Sequence, residues 1–317
     1  MSRLAILATG IALCIAFDAS SQAGTIYWTD TDGLSGSHRI RRANADGAGV
    51  TTLVGGLHDP RGMTLDLQND MMYWTEPGAN PPRIFRANLD GSGSQQTVVT
   101  TTDGAADVAL DLGAGKLYWT ESLAPGVDGK IRRANLDGTG VEDLVTGVLT
   151  HPAGLALDAI HGKVYWTDLE GTFDGLGRIQ RSNLDGSNVE TIISGIDEAN
   201  GLAIDIAGGH IYWPEDATNK IQRANLDGSG IVDLVIGLET PTTIGLDLAE
   251  GKMYWTDSGF GGQTTNRIER ANLDGTGREA IVSGDGFPWG IAVVPEPSTF
   301  LLITALALFG AGRRINA

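Results

Sequence analysis

Cysteine is nearly absent: Cys14 is the only thiol in 317 residues, and it lies in an apolar segment at the start of the chain. No disulfide or cysteine-based metal site is therefore available to the rest of the chain. Basic residues are scarce as well, 22 Lys and Arg against 39 Asp and Glu, for a formal net charge of −17. That balance argues against nucleic acid as a partner, because such binding neutralises phosphates with clustered cations. It suits solubility, or the binding of cations and basic partners. The five histidines, His38, His58, His151, His161 and His210, show no metal-ligand spacing. The sequence also lacks a Gly-x-Ser-x-Gly elbow, a phosphate loop and a dinucleotide fingerprint. No catalytic residue, metal ligand or cofactor is assigned; calcium is left open by the acidic composition.

What is present is repetition. Tyr27-Trp28-Thr29-Asp30 recurs as Tyr73-Trp74-Thr75-Glu76, Tyr118-Trp119-Thr120-Glu121, Tyr165-Trp166-Thr167-Asp168, Tyr212-Trp213-Pro214-Glu215 and Tyr254-Trp255-Thr256-Asp257, at intervals of 46, 45, 47, 47 and 42 residues. A period in this range marks a repeat architecture in which no unit buries its own faces alone. An apolar run ending in aspartate precedes most copies, and Ile-x-Arg-Ala/Ser-Asn-Leu-Asp-Gly follows most of them. On these residues the chain resembles the YWTD (low-density-lipoprotein-receptor class B) repeat family. Over residues 24 to 294 the resemblance implies an all-β, six-bladed propeller of four-stranded antiparallel blades.

Each period accommodates four short strands, for example 154–158, 163–168, 178–183 and 189–194 in the fourth copy, with the β-branched and aromatic character of half-buried strands. Asp185-Gly186 between the last two signals a tight hairpin, and Asp46, Asp90, Asp137, Asp227 and Asp274 stand at the same place in the other copies. A strand-one run precedes every motif but the first, and one, 290–294, is left over at the end. The leftover strand is expected to complete the first blade and so remove an open sheet edge.

All six tyrosines and six of the seven tryptophans lie in the motif. Packing between blades is their expected role, with a sugar-binding stripe as the alternative. The motif acids recur in step with Arg42, Arg86, Arg133, Arg181, Arg223 and Arg270, which predicts ion pairs between strands or blades. Asp66, Asp111, Asp158, Asp205 and Asp247 form a further series, read as scaffold, with an axial metal site as the alternative. Pro214 replaces the motif threonine and puts the local ladder in doubt.

The connections between strands two and three differ from blade to blade, whereas the short turns at the opposite end are nearly uniform. Specific recognition is expected on the variable face. There Arg61, Ala106, Ala153, Asn200, Thr242 and Trp289 should ring the axis, with Asp59, His151 and Glu198 further out. Trp289, Phe287 and Phe260 form a candidate aromatic site with Arg61 and Asn200, although Trp289 also suits a cover over the closure seam. His151 with Asp59 and Glu198 is a candidate acid–base set.

The two ends read as signals. Residues 1–23 have the basic start, apolar core and Ser21-Gln22-Ala23 site of a secretory leader, an uncleaved anchor being the alternative. Residues 295–317 carry Pro295, Glu296 and Pro297, an apolar helix over 300–312, then Arg313 and Arg314. They resemble the PEP-CTERM sorting signal of Gram-negative bacteria. That resemblance implies export, an exosortase-type processing enzyme as a partner, transient contact with the inner membrane through the helix, and a destination at the cell surface or in an extracellular polysaccharide matrix. A plain single-helix anchor is the alternative. The functional expectation is an exported, non-enzymatic recognition module for an extracellular protein, peptide or polysaccharide. The alternative is a calcium-dependent hydrolase or lactonase-like propeller.

Overall fold

The computed structural model describes residues 24–31, 38–121, 128–169, 177–258, 266–284 and 286–295. Both end signals, apart from Pro295, and Phe260 lie outside the described residues. The strands are β1 (Thr25–Thr31), β2 (His38–Asn44), β3 (Thr51–Leu57), β4 (Met63–Asp66), β5 (Met71–Glu76), β6 (Arg83–Asn88), β7 (Gln96–Thr100), β8 (Ala105–Asp111), β9 (Lys116–Glu121), β10 (Gly129–Asn135), β11 (Glu142–Leu149), β12 (Pro152–Asp158), β13 (Lys163–Asp168), β14 (Gly177–Asn183), β15 (Glu190–Ile196), β16 (Ala203–Asp205), β17 (His210–Glu215), β18 (Lys220–Asn225), β19 (Val232–Ile236), β20 (Pro241–Asp247), β21 (Lys252–Asp257), β22 (Asn266–Asn272), β23 (Glu279–Gly284) and β24 (Phe287–Val294). They form six antiparallel four-stranded sheets, the blades of a propeller. Blade 1 has the order β24-β1-β2-β3, so the last strand closes the ring. Thr25 pairs with Val294 and Trp28 with Ile291.

Successive side chains of a strand point to opposite faces, and this is what makes Tyr-Trp a connector between blades. Tyr27 packs with Trp74 of the next blade, Tyr118 with Trp166, Tyr165 with Trp213, Tyr212 with Trp255 and Tyr254 with Trp28. All twelve rings are at most 2% exposed. The packing role holds, and burial removes the alternative of a sugar-binding stripe.

The predicted pairing of motif acids with Arg42 and its counterparts is not what forms. Tyr27 stands opposite Arg42, so Asp30, three residues on, stands opposite Arg39. Asp30 accordingly binds Arg39 and Arg41, Asp168 binds Arg178, Asp257 binds Arg267, and Lys220 serves Glu215. The recurrent arginines reach outward to strand four and across to the next blade. Arg133 binds Glu142 and the Leu184 carbonyl, and Arg181 binds Glu190 and the Leu226 carbonyl. Antiparallel register reverses the order along the partner strand, and equal spacing in sequence could not show that.

The Asp-Gly pairs are turn formers, but the loop is longer than a two-residue hairpin. Gly186 N–H donates to Asn183 O, Asn183 N–H to Ser187 O, and Ser187 N–H to the Asp185 carboxylate. Gly186 takes the left-handed conformation, φ 81°, that closes this turn. The strand-one aspartates are scaffold: Asp66 accepts the amides of Gln68 and Asn69, Asp158 that of His161 and Asp205 that of Gly208.

Candidate functional site

The motif threonine builds the mouth of the propeller. Strand one carries an irregularity at this level in several blades, between Ala105 and Val108, Pro152 and Leu155, and Pro241 and Ile244. A bulge re-aims side chains and leaves ladder groups unpaired. The threonine hydroxyl takes their place: Thr120 Oγ1 accepts Asp107 N–H and donates to Ala153 O of the next blade. Thr29 likewise accepts Gly290 N–H and donates to Arg61 O, and Thr256 donates to Trp289 O. Of the residues expected to ring the axis, Arg61, Ala106, Ala153 and Trp289 are thus held through their carbonyls by the preceding blade.

Five of the six motif acids anchor the loop just before a mouth residue. Glu76 accepts His58 N–H, Glu121 those of Thr102 and Asp103, Asp168 those of Thr150 and His151, Glu215 that of Asp197, and Asp257 those of Glu239 and Thr240. Burial disfavours the Glu121 carboxylate, but donors from Thr102, the Trp119 indole and two amides outweigh it and lower its pKa to about 2.

Blade 5 departs from this plan at Pro214. Thr75 N–H of blade 2 donates to Gly62 O, whereas proline has neither N–H nor hydroxyl to offer. Pairing of β16 with β17 begins only at Ala203–Tyr212, while the β17–β18 ladder is complete and includes Pro214 opposite Ile221.

On the variable-loop face lies a cavity of about 620 Å³ lined by Thr31, His38, Asp59, Arg61, Asn200, Asp216, Thr240, Thr242, Ser258, Phe287 and Trp289. It draws on blades 1, 2, 5 and 6. The Arg61 guanidinium sits over the Trp289 ring, 5.0 Å from its centroid, and pairs with Asp59 at 3.2 Å. Arg61, Asn200 and Trp289 also line a neighbouring hollow of about 60 Å³ with His151, so they form the partition between the two. Trp289 joins both of its expected roles: its carbonyl takes bonds from Thr243 and Thr256 in the closure seam, while its ring faces the cavity.

Asp59, Arg61, Asn200, Phe287 and Trp289 are therefore brought together. His151 lines only the smaller hollow and Glu198 neither, and no hydrogen bond among the described residues joins Asp59, His151 and Glu198 into an acid–base set. Thr31 at the end of β1 and His38 at the start of β2 line the cavity without having been nominated from sequence, and so do Asp216, Thr240 and Ser258. The last three follow the motif or precede strand one in a single blade each, so no repeat signal marks them. The pKa of Asp216 is raised to about 7, first by burial and then by the charges of Glu198, Asp257 and Asp197.

Below the mouth the axis narrows. A space of about 120 Å³ is lined by strand one of all six blades, including Gly62, Asp107, Gly201, Thr243 and Gly290. Asp107 projects here, accepts the amides of Leu155 and Val108, and is raised to about 7 by burial. It is the one carboxylate among those lining residues, and among the described residues no group of three or more His, Cys, Asp or Glu is arranged to hold a metal.

A profile of the low-density lipoprotein receptor repeat class B matches residues 162–206, which run from the β12–β13 turn of blade 4 to the end of β16. Over those residues the chain is similar to that repeat. The chain is 32% identical over 119 residues to low-density lipoprotein receptor-related protein 5 of Mus musculus, covering 37% of this chain and 7% of that protein. It is 34% identical over 108 residues to low-density lipoprotein receptor-related protein 1 of Pyricularia oryzae, covering 30% of this chain and 35% of that one. The chain thus spans about a third or less of these relatives. Among solved structures, a chain of the nidogen/laminin complex superposes with a TM-score of 0.71 at 22% identity, covering 86% of this chain and 98% of that one. TolB from Acinetobacter baumannii gives 0.67 at 13% identity, covering 86% of this chain and 67% of that one. These two likenesses concern the fold.

Proposed function

We propose that this propeller is an exported, surface- or matrix-displayed recognition module whose variable-loop cavity holds a segment of an extracellular protein, peptide or polysaccharide. The observation that carries the reading is the 620 Å³ cavity walled by Trp289, Phe287 and Arg61, with its backbone held rigidly by the motif threonines and acids. A preformed concave site with aromatic walls and a few placed polar groups is the usual form of a binding site. Receptor-related proteins among the matched relatives support a binding role. The residues of the N-terminal leader and of the Pro295-Glu296-Pro297 segment support export and display. Engagement of the aspartate series by turn amides supports scaffold over an axial calcium site.

The test is a screen of the purified protein against a displayed peptide library and an oligosaccharide array, with Trp289→Ala as the control. Binders lost in Trp289→Ala at an unchanged melting temperature are expected. Binding that survives Trp289→Ala, or its absence in both screens, refutes the assignment.

A further inference from the structure

The charges lining the cavity are unevenly answered. Arg61, the only lysine or arginine among the described residues that line it, is already neutralised by Asp59 and stacked on Trp289. Asp216 lines the same cavity, and among the described residues nothing donates a hydrogen bond or ion pair to its carboxylate. Its charged neighbours are all of its own sign: Glu198 and Asp197 from the connection entering blade 5, and Asp257 at the end of β21. Asp257 itself is satisfied by Arg267 and by the amides of Glu239 and Thr240. The cavity therefore combines an aromatic wall with one partly desolvated, unanswered carboxylate, on a chain of net charge −17.

Resting on the recognition reading above, we propose that this cavity takes a lysine or arginine side chain of a protein partner, its cation on Asp216 and its methylene stem along Trp289 and Phe287. The chemistry matches at both ends. Long basic side chains cover apolar surface with their stems and carry the charge at the tip. A charge-assisted hydrogen bond in a partly desolvated site is stronger than one in open water, and a cation relieves the repulsion that the three neighbouring carboxylates impose on Asp216. The overall negative field favours encounter with a basic surface and makes association sensitive to ionic strength. An anionic polysaccharide would be repelled by Asp216, and a neutral one could donate hydroxyls to it but would bring no balancing charge, so a protein is the better-matched occupant.

The experiment is selection from a displayed library of cyclic peptides on the purified protein, counter-selected on Trp289→Ala, followed by calorimetry on the selected peptides. The expected result is an obligatory Lys or Arg in the selected peptides. Its replacement by norleucine, which keeps the stem and drops the charge, and Asp216→Asn in the protein should each weaken binding about tenfold or more, each tenfold corresponding to 1.4 kcal/mol. The two changes together should cost little more than either alone. Asn is isosteric with Asp, and an unchanged melting temperature for Asp216→Asn shows that the fold is intact. Trp289-dependent binders that lack a basic residue, or that are indifferent to Asp216→Asn, overturn this inference and leave the recognition reading standing. An absence of Trp289-dependent peptide binders, whether or not oligosaccharides bind, overturns it as well. Failure of both ligand classes removes the recognition reading itself.

Discussion

The waist of the propeller offers a sharp test of how rigidly the blades meet. A Cβ added at Gly154 would lie 2.6 Å from Gly201 Cα, 2.7 Å from Gly201 C and 2.8 Å from Leu202 N. Carbon atoms in good contact sit roughly 3.5–4.0 Å apart, so blades 4 and 5 would have to separate by about 1 Å. Every opposing atom belongs to the backbone of a neighbouring blade, so no side-chain rotation relieves the clash. Overpacking typically costs about 1–3 kcal/mol, and the upper part of that range applies where only a sheet can move. At about 2–4 °C per kcal/mol for a domain of this size, Gly154→Ala should lower the melting temperature by about 6–10 °C. Gly284, at the end of β23, has nothing within 4 Å of an added Cβ, so Gly284→Ala should leave the midpoint within about 1 °C. Calorimetry on both variants at one pH and concentration decides the matter. A Gly154→Ala midpoint within about 2 °C of the parent would refute the reasoning that the waist is closed by backbone contact.

Deleting residues 289–294 should lower the melting temperature of the whole ring, since β24 supplies the inner strand of blade 1; equal midpoints by calorimetry would count against closure. Asp107 has a folded pKa of about 7, above its ordinary 3.8. The folded state therefore holds this proton more tightly than the unfolded chain, and its favourable contribution, full below about pH 4, is lost as pH rises through 7. Partial access to the axial space tempers the effect to about 1–2 kcal/mol between pH 5 and 8, and Asp107→Asn should flatten that part of the stability profile. Glu121 acts in the opposite sense: its pKa of about 2 lies below the ordinary 4.5, so its contribution is present above 4.5 and disappears as pH falls through 2. Glu121→Gln should cost about 1–3 kcal/mol at pH 7, and the difference from the parent should shrink steadily as pH falls from 4.5 towards 2, as measured by denaturant unfolding.

The repeat period, the blade count, the turn aspartates and the closure by the last strand were all legible in the sequence. Each is a local pattern written several times, and the unmatched strand one at the end of the chain has a single unfilled place. The ion pairs were misread, because recurrence at a constant interval shows that Asp30 and Arg42 belong to the same repeat but not that Tyr27 is the residue opposite Arg42. The threonine of the motif gave no sign of its role, since its hydroxyl answers groups left over by a bulge in its own blade and a carbonyl in the next.

The same division runs through the site. Trp289, Phe287, Arg61, Asn200 and Asp59 could be nominated from sequence because they break an otherwise regular repeat at known places in the ring. Asp216, Thr240 and Ser258 come from connections that vary freely, and their assembly round one cavity depends on how blades 5 and 6 face blade 1 across the axis. Local periodicity alone determined that this chain is a six-bladed ring with a variable face. Only the tertiary structure decided which carboxylate on that face lacks a cation, because charge balance in a cavity is set by neighbours from different blades.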